Sequence, residues 1–222
     1  MKAFLHWIRT KNIIPIIIIF FSVGAAGMVL PVSRELFKLL TPFTLLTATV
    51  LILIFHEDYS IRFWVFALII FTFGLLAELI GVNTGLLFGE YMYGKTLGLK
   101  VFHTPLIIGV NWFMLVYCTH LIAREFVKDV YFRSLVAAAM MVVYDFALEP
   151  AAMYLDMWNW SGGVVPLQNY IAWFIIAFLM HLIAGATDTV KHKNKVASPL
   201  FFIQLLFFII IDIWIYAEKI WA

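Results

Sequence analysis

The chain has 222 residues, 64% hydrophobic and 13% charged, with a mean hydropathy of +1.00. Soluble domains run at roughly 45–50% apolar and roughly 25% charged, so a water-soluble fold is excluded. Fifteen Lys and Arg against thirteen Asp and Glu, with no clustered basic face, exclude a nucleic-acid binder, and one cysteine, Cys118, permits neither an internal disulfide nor a cysteine-rich metal site.

A bilayer-spanning helix needs about 20 apolar residues at ~1.5 Å each. Windows of this kind fall at 13–30, 39–55, 62–80, 104–122, 134–155, 168–187 and 199–216. The expectation is an all-α, polytopic integral membrane helix bundle of about seven transmembrane helices, forming a single domain over residues 1–222. The first window follows Lys2, Arg9 and Lys11 and contains Gly24-Ala25-Ala26-Gly27, as a signal peptide would, but six further spans favour an uncleaved first helix.

Basic residues near helix ends are retained in the cytoplasm. With the N-terminus inside, that side holds Lys2, Arg9, Lys11, Arg62, Arg124, Lys128, Arg133, Lys191, Lys193 and Lys195, against Arg34, Lys38, Lys95, Lys100 and Lys219 outside. The expected location is the inner cell membrane, with a cytoplasmic N-terminus and an external C-terminus. The connections 81–103 and 156–167 then lie outside and are rich in Gly, Tyr, Trp, Asn and Thr rather than charge, as membrane-surface or re-entrant caps are.

Ionisable groups inside a span cost about 2.5–3.5 kcal/mol each on insertion scales and face the bundle interior or a cavity. Four acids qualify: Glu78, Asp145, Glu149 and Asp212. Asp145 and Glu149, four residues apart, share one helix face. Pro150 follows directly and predicts a kink at Glu149. Glu78 lies between Gly74 and Gly81, near the same membrane face as Glu149. Burial disfavours a charged carboxyl, so one of a buried pair can keep a proton and donate it; the competing reading is neutral hydrogen-bonding between helices. Asp212 has no such company and fits that second reading.

Tyr91, Tyr93, Trp112, Trp158, Trp160, Tyr170 and Trp173 fall near the outer boundary, where an aromatic belt is expected. Those lining a pocket would stabilise a cation by about 0.5–2 kcal/mol each, and position alone does not separate the two roles. Asn83, Thr84, Asn111, Gln168 and Asn169 could hold a water or orient a carboxyl. His103, His120 and His181 lack the spacing of a di-iron oxygenase. There is no phosphate-binding Gly-rich loop and no Asp-rich diphosphate motif, and the last window carries no lysine for a retinal Schiff base.

Two segments taken together resemble one family. Residues 78–93, with Pro105 and Asn111-Trp112, resemble the E-x-x-G-V-x-T-G-x-x-F-G-x-Y-x-Y block of the carotenoid biosynthesis membrane proteins that include the CruF-type carotenoid 1,2-hydratases. Asp145, Glu149-Pro150, Trp158-x-Trp160 and Val165-Pro166-x-x-Asn169-Tyr170-x-x-Trp173 are similar to that family's second pattern, with Tyr170 in place of Phe and Ala172 in place of Gly. The resemblance covers about residues 70–190.

The resemblance implies a hydro-lyase that hydrates the acyclic (ψ) end of a carotenoid such as γ-carotene, lycopene or a bacterioruberin precursor, without a cofactor or metal. A proton delivered to C2 of the terminal double bond leaves a tertiary cation at C1, which water captures. Glu149 or Asp145 is the expected acid, with Glu78 positioning or deprotonating the water. Asn83, Thr84, Tyr91, Tyr93, Asn111, Trp112, Trp158, Trp160, Asn169, Tyr170 and Trp173 are the expected substrate contacts, and membrane lipid is the expected surrounding partner. The competing readings are a proton-initiated cyclase, which would make the same cation but exclude water, and a non-enzymatic transporter or pigment-binding protein.

Overall fold

The computed structural model describes residues 12–221. Among the described residues seven α-helices follow in chain order: α1 (Ile14–Val29), α2 (Pro31–Ile54), α3 (Ile61–Thr84), α4 (Ile107–Phe126), α5 (Val130–Tyr154), α6 (Leu167–Thr187) and α7 (Ala197–Trp221). Six are long and apolar enough to cross a membrane, and α1 is shorter at 16 residues. The protein is an all-α polytopic membrane bundle. Lys2, Arg9 and Lys11, which enter the expected orientation, lie outside the described residues.

The second span begins earlier than its apolar window, at Pro31, whose fixed φ suits the first helical position. The polar stretch that hid this start caps the preceding helix. Ser33 Oγ donates to the Gly27 carbonyl at 2.9 Å, and Arg34 donates to the Met28 and Val29 carbonyls at 3.1 and 3.0 Å. A cation at these orphan carbonyls also suits the negative end of the α1 dipole. Further starts are set by Ser60 and Asp129, whose side chains accept from the Phe63 and Phe132 amides.

Helix α4 is the axis of the bundle, packed against α2, α3, α5, α6 and α7. It is buried almost continuously from Ile107 to Ala123. A helix buried all round can carry polar residues to the centre, and α4 does so with Asn111, Thr119 and His120. Helix α5 continues through Pro150 to Tyr154, so the proline expected to kink the chain at Glu149 does not end the helix there.

The two caps are one structure. Strand β1 (Tyr91–Tyr93) pairs antiparallel with β4 (Trp158–Trp160), placing Tyr91 opposite Trp160 and Tyr93 opposite Trp158. The Gly94 amide bonds the Met157 carbonyl at 2.8 Å, and Thr96 Oγ1 bonds the Leu155 carbonyl at 2.5 Å. Gly94 permits this approach, because a Cβ there would sit 2.1 Å from the Asp156 carbonyl oxygen. Between β1 and α4, strands β2 (Lys100–Val101) and β3 (Thr104–Pro105) form a tight hairpin.

At the opposite face, His56 ties two connections together. Its Nε2–H donates to the Asp58 carbonyl at 2.6 Å, and its Nδ1 accepts from the Tyr117 hydroxyl at 2.9 Å. Asn194 Nδ2 donates to the same hydroxyl oxygen at 3.1 Å and to the Ile52 carbonyl at 2.9 Å. The imidazole stacks on Phe63 at 3.8 Å.

Candidate active site

Side chains alternate along a strand, so Tyr91, Tyr93, Trp158 and Trp160 point to one side of the ribbon, while Met92 and Asn159 are exposed on the other. Below the ribbon, α3 contributes Glu78, α4 Asn111 and Trp112, α5 Asp145 and Glu149, and α6 Asn169 and Trp173. All these side chains line one cavity of about 30 Å³. That is room for a water or two and too little for an organic group.

The three carboxyls are 4%, 1% and 2% exposed for Glu78, Asp145 and Glu149, and they differ in what surrounds them. Glu78 Oε2 accepts from the Tyr91 and Tyr93 hydroxyls at 2.7 and 2.6 Å, and its Oε1 accepts from Trp112 Nε1 at 3.1 Å. Burial, reinforced by the neighbouring Glu78, pushes both phenols far above their usual range, which keeps them as O–H donors. Glu149 Oε2 accepts from the indoles of Trp158 and Trp160 at 2.9 and 2.7 Å. An indole N–H only donates, so each tryptophan commits its polar atom to this carboxyl.

Asp145 is supplied differently. Asn169 Nδ2 donates to its Oδ2 at 2.7 Å and reaches Glu149 Oε1 at 3.4 Å. Asp145 Oδ1 is buried with no hydrogen-bond partner among the described residues. The helical spacing places the two acids of α5 on one face, and Asn169 stands between them from α6.

The walls are aromatic. Trp112 and Trp173 stack at 4.2 Å with 23° between their planes, and Tyr91 lies 4.9 Å from Trp160. The cavity therefore combines buried carboxyls that can exchange a proton with ring faces that can stabilise a positive charge.

Three residues expected at the site lie elsewhere. Asn83 donates to the Leu79 and Phe102 carbonyls at 2.7 and 2.9 Å. Thr84 donates to the Ile80 carbonyl at 2.6 Å and accepts from the Leu86 amide at 3.2 Å. Tyr170 packs its ring on Phe146 rather than lining the cavity. Gln168 closes a surface contact, donating to the Leu86 carbonyl at 2.6 Å, and Asp212 is outside the lining. Phe88, Ile108 and Leu148 complete the wall; Phe88 stands at the F of the family-like block 78–93, whereas Ile108 and Leu148, apolar residues in an apolar chain, carry no sequence signal of that role. His120 and His181, distant in sequence, stack at 5.8 Å. Among the described residues, no cluster of three or more His, Cys, Asp and Glu could hold a metal ion.

The carotenoid biosynthesis protein family model matches residues 40–222. Among curated proteins, the chain is 30% identical over 122 residues to a bisanhydrobacterioruberin hydratase of Haloarcula japonica, an alignment covering 49% of this chain and 39% of that relative. The chain thus spans less than half the length of the relative. No solved structure matches it. Matched from within α2 to its last residue, the chain belongs to the carotenoid biosynthesis protein family.

Proposed function

We propose that the protein is a carotenoid hydratase, adding water across the terminal double bond of an acyclic end group to give a tertiary alcohol. Family membership supports the substrate class, and the name of the similar Haloarcula protein supports the reaction type. The observation that carries the reading is the unequal supply of donors to the three carboxyls.

Glu78 and Glu149 are surrounded by O–H and N–H donors that favour carboxylates. Asp145 has one close donor and an unpartnered oxygen, the environment in which a buried carboxyl carries its own proton. Asp145 is the acid: its proton goes to C2, and the double-bond electrons form the new C–H bond. The resulting C1 cation forms against the aromatic wall, where a ring face stabilises it by about 0.5–2 kcal/mol. Water adds through oxygen to C1 and gives up a proton to Glu78. Exchange through water returns that proton to Asp145, so the net change is one water added. Glu149 holds the ribbon over the site through its indole partners.

The cavity accommodates water when closed, so the end group enters by displacing the aromatic side chains of the ribbon. The basic residues of the described chain are more numerous at the face opposite the caps, which supports a cytoplasmic location for that face and an external one for the caps.

The test is expression in hosts that accumulate lycopene or γ-carotene, followed by mass spectrometry of the pigments. A gain of the mass of one water supports hydration. A product of unchanged mass and altered retention would make the protein a proton-initiated cyclase, and unaltered pigment in both hosts, with the protein inserted, would favour binding or transport.

A further inference from the structure

The β2–β3 hairpin is built against the preferences of its turn. Val101 pairs with Thr104 around the two-residue loop Phe102-His103, and both loop residues have positive φ, 46° and 66°. Two-residue hairpins of this kind favour Asn and Gly, because a bulky side chain at positive φ is strained. Here the tip carries Phe102 at 73% exposure, flanked by the exposed Leu99 and Val101.

The charge of the hairpin is withdrawn from the tip. Lys100 donates from Nζ to the Tyr93 carbonyl at 2.6 Å, so the one formally charged side chain of residues 99–105 turns toward the ribbon. The depth of the tip is fixed as well. Asn83, next to the last residue of the membrane-spanning α3, donates to the Phe102 carbonyl at 2.9 Å, which holds the tip level with the helix end instead of projecting into water. A 24-residue helix is about 36 Å long and exceeds a hydrocarbon core of about 30 Å, so that level is the boundary between headgroups and acyl chains.

We propose that this hairpin is a membrane-contact finger that dips Leu99, Val101 and Phe102 into the lipid leaflet on the capped side of the protein. Its occupant is bilayer hydrocarbon. Exposed aromatic and aliphatic side chains at this depth remove apolar surface from water, and the withdrawal of Lys100 spares the finger the cost of burying a charge. Asn83 falls within the segment 78–93 that resembles the family, at a position its pattern leaves open, and lies away from the acid cavity; the finger gives it a role: it sets the insertion depth.

The test uses the full-length protein in phosphatidylcholine vesicles. Cys118 is the only native thiol and is buried, so a Cys118→Ala background carrying Phe102→Cys accepts one environment-sensitive fluorophore. Doping the vesicles with phosphatidylcholine bearing a nitroxide high on its acyl chain is expected to more than halve the fluorescence, with iodide in the water having the smaller effect. Iodide quenching equal to or greater than lipid quenching overturns the proposal. Leu99→Cys reads the same contact without altering the positive-φ turn, should the Phe102 variant fail to fold, and Asn83→Ala is expected to shift the balance of quenching toward iodide.

Discussion

Tyr91 and Trp160 stand opposite each other in the ribbon, rings 4.9 Å apart, yet their polar atoms serve different carboxyls: the Tyr91 hydroxyl reaches Glu78 and the Trp160 indole reaches Glu149. One cross-strand pair therefore supplies both sides of the cavity, and the ribbon positions the site as well as covering it. Its second pair, Tyr93 and Trp158, divides in the same way.

Replacing Trp160 or Trp158 by Phe keeps a ring and removes a donor to Glu149. A hydrogen bond to a charged group is worth about 1.5–3 kcal/mol, so each variant is expected to lose roughly tenfold to hundredfold in turnover. Steady-state product formation by the purified variants checks this, and a loss confined to KM would argue against a role in the reacting geometry.

Glu149→Gln and Asp145→Asn preserve shape and remove ionisable groups from the cavity. General acid–base assistance is typically worth about 10²–10⁴-fold, and a loss in that range is expected for Asp145→Asn, the assigned acid, whereas Glu149→Gln weakens the acceptor of the ribbon's indoles and is expected to lose roughly tenfold to hundredfold, with both thermal unfolding midpoints near that of the parent. Near-normal turnover by Glu149→Gln would contradict the role of Glu149 in holding the ribbon, and near-normal turnover by Asp145→Asn would remove the assigned acid.

Gly94→Ala places a Cβ 2.1 Å from the Asp156 carbonyl oxygen, a backbone atom that has little room to yield. The expected cost is about 1–3 kcal/mol, concentrated in the ribbon. Hydrogen exchange should report faster opening of residues 91–93 and 158–160 with the helices still protected, together with reduced product formation.

At the other face, burial holds the His56 imidazole below its ordinary pKa, outweighing the nearby Asp58 and Glu57, which raise it; His192 adds a smaller lowering effect. A depressed histidine favours folding in its neutral form, so its contribution is complete above the unfolded value of about 6.5 and is lost as pH falls through the folded value. Thermal unfolding in detergent is expected to drop more steeply with acidification in the parent than in His56→Gln. Parallel pH profiles would contradict this.

Long apolar runs made the helices legible in the sequence, while short polar stretches were ambiguous. Ser33 and Arg34 look like a loop, yet they are the first turns of α2 because their side chains satisfy carbonyls of α1. The acids of the cavity could be found because a carboxyl in an apolar run is costly. The ribbon could not, since β1 and β4 are three residues each and distant in sequence, and their alternation carries meaning only once they are paired. Asn83, Thr84 and Tyr170 lie in the same family-like segments as the site residues but bond to backbone or pack on Phe146. Spacing within a motif identifies a family more readily than it identifies which side chains converge.

The central claim is that the Asp145 cavity adds solvent water to a carotenoid end. The most direct measurement incubates purified protein and an acyclic carotenoid in water enriched in heavy oxygen, alongside the folded Asp145→Asn variant. The account expects one heavy oxygen on the tertiary carbon with the parent and almost none with the variant. Oxygen drawn from another source, or equal labelling by both proteins, would contradict it.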